Sequence, residues 1–233
     1  MKGHWQLLGL VVVIFALWST PVMVPLKIVV VLLHELSHGL AAVLTGGSIE
    51  QITISPEQGG QALTRGGSRF VTLTAGYLGS LLLGMALLFA ALRSVADRAV
   101  VAGLGVGLLV VSALYLRDLF ALLFCIGLAA VLLAIARWLD HRANDLVLRV
   151  IGLTSMIYVP FDIFSDTIAR SNLQSDAWMM ADEFGGATVL WGGLWLVLSL
   201  AAIFLSVRYG LGASSNILFR SGAKDPRPPR SLG

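Results

Sequence analysis

The chain has 233 residues, 57% of them hydrophobic and 12% charged, with a mean hydropathy of +0.87 and a net charge of +3. A soluble domain carries about 25% charged residues, so the composition excludes a large soluble core and points to a polytopic membrane protein. The basic residues collect in loops and at the C-terminus, which suits a lipid bilayer and argues against nucleic acid, and Cys125, the single cysteine, excludes a disulfide framework or a Cys-rich zinc site.

A spanning helix needs roughly 20 apolar residues. Candidate segments run over about 5–20, 24–45, 70–93, 99–116, 119–137, 146–169 and 187–208. The first, Leu7 to Trp18, lacks a small-x-small cleavage site before Pro21 and is followed by further apolar helices. It therefore reads as a span or anchor, not a signal peptide. Pro21 and Pro25 separate it from the second segment, and Gly46-Gly47 ends that segment. Between Ser48 and Arg69, Ile49, Ile52 and Ile54 sit among polar and β-branched residues, and Gly59-Gly60 marks a turn before Gln61 to Thr64. This pattern predicts a short β-hairpin at the membrane edge. Asp140 to Arg149 reads as a charged loop and helix start, and Ser171 to Gly186 as an acidic, polar connection. The expected fold is an all-α polytopic membrane protein with six to seven transmembrane helices and a short β-hairpin between the second and third. One transmembrane domain covers 1–212, with the hairpin insert at 48–69. A basic, disordered tail is expected over 213–233, where Lys224, Arg227 and Arg230 are interleaved with prolines.

The chemistry begins at His34-Glu35-Leu36-Ser37-His38, which follows the wholly apolar run Ile28 to Leu33. Two histidines four apart project from one helix face and can bind one ion. Glu35 beside them can take a proton from a metal-bound water whose pKa zinc lowers to about 7. Ionisable groups within lipid are costly without a role; the bland alternative is three polar side chains satisfied by neighbouring helices. A catalytic zinc usually takes three protein ligands. His4 at the terminus and His141 in a charged loop are poorly placed, and Cys125 lies in an apolar stretch. Asp162 and Asp166 follow the apolar run Val150 to Phe161 and are again four apart. Counted in seven spans, their helix runs parallel to the histidine helix, with the polar cluster in the same half. Asp162 is the favoured third ligand, with Asp166 supporting it or as the alternative ligand; a helix-end cap is the structural alternative. Pro160 loosens the helix just before them. The spacing Gly76-Ser80-Gly84 lines one helix face with small residues, first of all a packing device.

Together, His34-Glu35-Leu-Ser-His38, Thr74-Ala-Gly76-Tyr77-Leu-Gly79-Ser80 and Phe161-Asp162-Ile-Phe-Ser-Asp166-Thr resemble the site-2 protease superfamily, and more narrowly its peptidase M50B-like branch, over roughly residues 24 to 185. The superfamily's third ligand lies in a Leu-Asp-Gly setting that this chain lacks, so carrying that role to Asp162 rests on the narrower branch. The branch also has a Ser-Asp-Ala, matched by Ser175-Asp176-Ala177, and an arginine matched by Arg170; where relatives have Asp-Asp this chain has Ser165-Asp166. The resemblance implies an intramembrane zinc metalloendopeptidase. His34, His38 and Asp162 would hold Zn2+, and Glu35 would activate water against a peptide bond in a membrane protein or peptide substrate. It also places the small-residue helix against the metal site. The hairpin offers an edge strand to an unwound substrate. The alternative is a non-proteolytic membrane protein using the zinc site for structure, sensing or partner binding; a transporter fits less well, because no paired discontinuous repeats are visible. The expected location is a multi-pass position in a bacterial plasma membrane.

Loop charges place the C-terminus in the cytoplasm. With seven spans, the open end of the zinc site then lies on the outer side, whereas the resemblance implies a site nearer the cytoplasm. The two agree if the stretch 99–137 crosses the membrane an odd number of times.

Overall fold

The fold is taken from a computed structural model, which describes residues 3–211 and 215–217. Helix α1 (Trp5–Leu17) leads through a short 3-10 turn (Pro21–Met23) into α2 (Val24–Leu44). Pro21 opens the turn and Pro25 is the second residue of α2, positions where a missing N–H has no helical partner to lose. After α2 come β1 (Ser48–Ile54) and β2 (Gly60–Arg65), then α3 (Arg69–Arg93), α4 (Asp97–Tyr115), α5 (Leu119–Trp138) and α6 (His141–Phe164). A π-helical turn (Ser165–Ala169) extends α6, and α7 (Asp176–Phe184) and α8 (Thr188–Gly210) complete the order.

Among the described residues, six helices are long and apolar enough to cross a membrane: Pro21–Leu44, Arg69–Arg93, Asp97–Tyr115, Leu119–Trp138, His141–Ala169 and Thr188–Gly210. The protein is thus a multi-pass, largely helical membrane protein with a hairpin between its second and third helices, α2 and α3, as the residue patterns indicate. Helix α1, at 13 residues, is shorter than a span. The stretch 99–137 forms two separate helices of spanning length, α4 and α5, so it does not supply an odd number of crossings.

Polar side chains at the helix starts fix the boundaries. Ser68, Asp118, Asp140 and Ser175 each precede a helix and accept a hydrogen bond from its first turn, satisfying N–H groups without intrahelical partners. Helix α2 ends where Gly46 takes a positive φ of 90° that side chains with a Cβ rarely adopt.

Small residues let α3 sit close to its neighbours. A Cβ on Gly152 would lie 2.7 Å from the Gly84 carbonyl, a Cβ on Gly84 would strike Ser155, and the Ser155 hydroxyl donates to the Ser80 carbonyl at 2.8 Å. The Gly76-Ser80-Gly84 stripe therefore divides its work: its C-terminal part packs on α6, and Gly76 faces the histidines of α2.

The hairpin is antiparallel, and its register slips between Ile49 and Gln51. That extra residue restores alternation, so Ile49, Ile52 and Ile54 turn to one side although their numbering is not strictly even. Ile49 reaches Gly39 of α2, while Ile52 and Ile54 are buried in a core shared with α2, α4 and α5. Ile52 also bridges to Leu116 at the end of α4. Strand β2 runs beside α2, with Gly60 against Glu35 and Val31. The hairpin is thus part of the bundle's wall.

A second core joins α1, α3, α6, α7 and α8 around Tyr77, Ile163, Met180 and Trp195. Within α6, the fully buried Arg149 pairs with Asp145 through both carboxylate oxygens, at 2.5 and 3.1 Å. Most of the expected tail 213–233 lies outside the described residues. Its described part, residues 215–217, is ordered against the N-terminus: Ser215 N–H donates to the Gly3 carbonyl at 2.8 Å and Arg149 donates to the Ser215 carbonyl.

Candidate metal centre

His34 and His38 lie one turn apart on α2, and their Nε2 atoms approach to 3.0 Å. The carboxylate that meets them is Asp176: its Oδ2 lies 3.0 Å from His34 Nε2 and 3.1 Å from His38 Nε2. The three ligand atoms all fall within 4.8 Å of one another, and this group could hold a metal ion. Asp176 is the first residue of α7, brought inward after the π-helical turn and a short irregular stretch, with Ser175 capping the helix beside it.

The donor chemistry fits a cation. His38 Nδ1 lies 2.7 Å from the Thr72 carbonyl of α3, an acceptor only, so that nitrogen carries the proton and Nε2 keeps its lone pair. Asp176 Oδ2 is buried with no hydrogen-bond partner among the described residues. A carboxylate oxygen and imidazole nitrogens thus turn to a common point, where a shared cation satisfies all three. Ligand atoms held by one zinc at about 2.0–2.1 Å lie a little over ~3 Å apart in a tetrahedral site, which matches the spacing here.

α3 makes the close approach possible. A Cβ on Gly76 would lie 2.5 Å from His34 Nε2 and from His38 Nε2, and one on Gly79 would lie 2.6 Å from Ser37 Cβ. Tyr77 presses edge-on against His34, with ring centroids 4.8 Å apart and planes at 80°.

Asp162, expected as third ligand, is not part of the converging group. It lines the same cavity and is hydrogen-bonded with Tyr158. Asp166, the expected alternative, has both oxygens engaged: Oδ2 accepts from the Tyr77 hydroxyl at 2.8 Å and Oδ1 from Arg170 Nη2 at 2.6 Å. Both acids line the cavity, and their helix face carries them to its wall instead of to the imidazole pair. The missed residue, Asp176, carried a signal in the sequence: a serine directly before an acid at a helix start, within the Ser175-Asp176-Ala177 motif. His4 bonds to Ser215, His141 pairs with Asp97, and Cys125 of α5 is buried in the apolar core, so none of these joins the site.

Glu35 is buried beside the first histidine, its carboxylate hydrogen-bonded by the backbone of Ala62 in β2. A cavity of about 790 Å³ opens over the group, lined by Glu35, both histidines, Tyr77, Asp162, Asp176 and the β2 residues Gly60 to Thr64. Two ligand-bearing histidines, a neighbouring acid, an added carboxylate and a strand thus border one chamber.

Neither a curated protein nor a solved structure matches the chain. A family does: the description Peptidase M50B-like matches residues 7–206, which takes in every element of the site. The chain belongs to the Peptidase M50B-like family, the site-2 protease family.

Proposed function

We propose that the chain is an intramembrane zinc endopeptidase that hydrolyses a peptide bond in a membrane-spanning or juxtamembrane substrate. The observation that carries this reading is the convergence of His34, His38 and Asp176 beside Glu35 in a cavity bordered by a strand. His34, His38 and Asp176 would hold the zinc, and three protein ligands leave a position open, as catalytic sites require. Bound zinc supplies Lewis acidity, which activates water and polarises a carbonyl at neutral pH.

The chain's own residues supply the rest. Glu35 is the proton acceptor and returns the proton to the leaving amine. Its hydrogen bond from the Ala62 backbone fixes the carboxylate between strand and metal group. The Thr72 carbonyl sets the tautomer and ring plane of His38. Among the described residues, β2 belongs to a two-stranded sheet in which it pairs only with β1. Its other edge offers backbone groups to an extended peptide, as peptide cleavage requires.

The test uses the full chain in detergent, with labelled single-span membrane peptides as probes. Wild-type protein cleaves them, chelation stops cleavage, and added zinc restores it. Glu35→Gln keeps its metal and loses cleavage by about 10²-fold or more. Full cleavage by Glu35→Gln would falsify the mechanism.

A further inference from the structure

Lys27 is a charge within a stretch of spanning length, Pro21–Leu44, and the metal group does not use it. Positions 27, 31, 34 and 38 fall on one face of α2. Val31, His34 and His38 all line the metal chamber, so Lys27 extends the row of the histidines. At 1.5 Å of helix rise per residue it stands about 10 Å along the axis from His34. A second cavity of about 260 Å³ opens around it, walled by Trp18, by the hairpin turn, and by residues of α6 and its π-helical extension. Glu57, Gln58, Asp162 and Arg170 line both this cavity and the metal chamber, so the two spaces adjoin.

Trp18 packs against Phe161 and Tyr158, with ring centroids 5.6 and 6.1 Å apart, and the Lys27 ammonium lies 4.6 Å from the centre of its ring. That contact holds the cation at the cavity wall. The other charges of this space are engaged or solvated. Asp162 is hydrogen-bonded with Tyr158, and Arg170 donates to Asp166 Oδ1 at 2.6 Å. Glu57 stands on an exposed turn, where water and salt screen it. Lys27 is half-buried and forms no ion pair among the described residues. A charge in a membrane segment without an opposite charge beside it is costly, and an anionic group entering the cavity would offset that cost. Snorkelling accounts for a lysine near a span end, but not for its place in a cavity that shares walls with the metal chamber.

We infer that Lys27 and its cavity form a substrate subsite for an acidic side chain, Asp or Glu, about three residues from the bond to be cut. The assignment rests on the peptidase reading above. The spacing follows from the distance of about 10 Å between Lys27 and His34 along α2 and about 3.3 Å per residue of extended chain. A phospholipid phosphate would pair with the same ammonium; the walls shared with the metal chamber favour the peptide.

The experiment titrates the full chain, carrying Glu35→Gln and loaded with zinc in detergent, with fluorescent single-span peptides read by anisotropy. One Glu, Gln or Lys is moved along the peptide a position at a time. At one position or two neighbouring ones, the Glu peptide binds about tenfold more tightly than the Gln peptide, the scale of a hydrogen bond to a charged group, and the Lys peptide binds more weakly than either. Lys27→Met removes the difference, Lys27→Arg keeps it, and Lys27→Glu reverses it in favour of Lys. Equal binding of Glu and Gln peptides at every position, or an unchanged preference in Lys27→Met, overturns the inference. So does a Lys27→Met variant that loses binding of phosphatidylglycerol vesicles while its peptide preference stays. Binding is read without turnover: a charge switch in a protein whose wild type cuts nothing sinks the peptidase reading and keeps the acid-binding cavity, whereas cleavage without a charge preference does the reverse. Where wild-type protein cuts the preferred Glu peptide, the cut falls about three residues from the Glu, and a cut more than about five residues away overturns the placement of the subsite.

Discussion

Exchanging Asp176 for Asn removes one anionic ligand with little change of shape, whereas the same exchange at Asp162 alters only the cavity wall. Asp176 Oδ2 lies 3.0 and 3.1 Å from the two imidazoles, so in the proposed zinc site the metal would lose one of three protein ligands. A four-ligand zinc site is worth about 10–16 kcal/mol, which assigns roughly 2.5–4 kcal/mol to each ligand. At about 1.4 kcal/mol per tenfold, Asp176→Asn weakens zinc binding roughly 10²–10³-fold. Asp162→Asn changes an acid that does not join the converging atoms, and its effect stays under about tenfold, the lower end of what supporting groups around a metal contribute. The assay is a competition titration of zinc against a chromophoric chelator on the purified full chain, with metal content measured by plasma emission. Retention of wild-type affinity by Asp176→Asn, or a greater loss in Asp162→Asn, refutes the assignment of the third ligand.

Two other perturbations probe the supports of the site. Gly76→Ala places a methyl group 2.5 Å from both imidazole Nε2 atoms, and since helix backbone cannot yield cheaply, the protein is expected to purify with less than a tenth of its zinc while circular dichroism shows unchanged helix content. Arg149→Ala leaves Asp145 fully buried without its guanidinium, and breaking such a pair costs about 3–5 kcal/mol, read as a lower thermal midpoint in detergent with zinc affinity preserved.

The local part of this architecture was readable from residue order. His34, Glu35 and His38 share one helix, so a spacing of four and the cost of charge in lipid locate two nitrogens and an acid before any packing is known. The hairpin was readable for a similar reason, since its apolar residues and its Gly59-Gly60 turn are adjacent in sequence. Asp176 was not assigned because its contact depends on the path taken after α6. Position along a helix fixes height and not face, and Asp162 lines the cavity without joining the converging atoms. Tyr77 and Arg170 take Asp166, and a π-helical turn followed by a Ser-capped helix start delivers the acid that meets the imidazoles. The first apolar segment, expected as a span or anchor, forms a helix of 13 residues that ends at Leu17, too short to span.

A division of labour between spanning and connecting elements follows. Long helices fix what must not move: α2 holds both histidines and Glu35, and α3 holds them at a fixed distance through Gly76, Gly79 and the Thr72 carbonyl. The backbone groups in the interiors of these helices are committed to intrahelical bonds, so they offer little to an extended peptide. Free backbone edges and an added carboxylate must therefore come from elements that do not span. The hairpin supplies the edge beside Glu35, and α7 supplies Asp176. Both elements border the chamber that holds the histidines and Glu35. A site built wholly from spanning helices would keep the metal and lose the substrate.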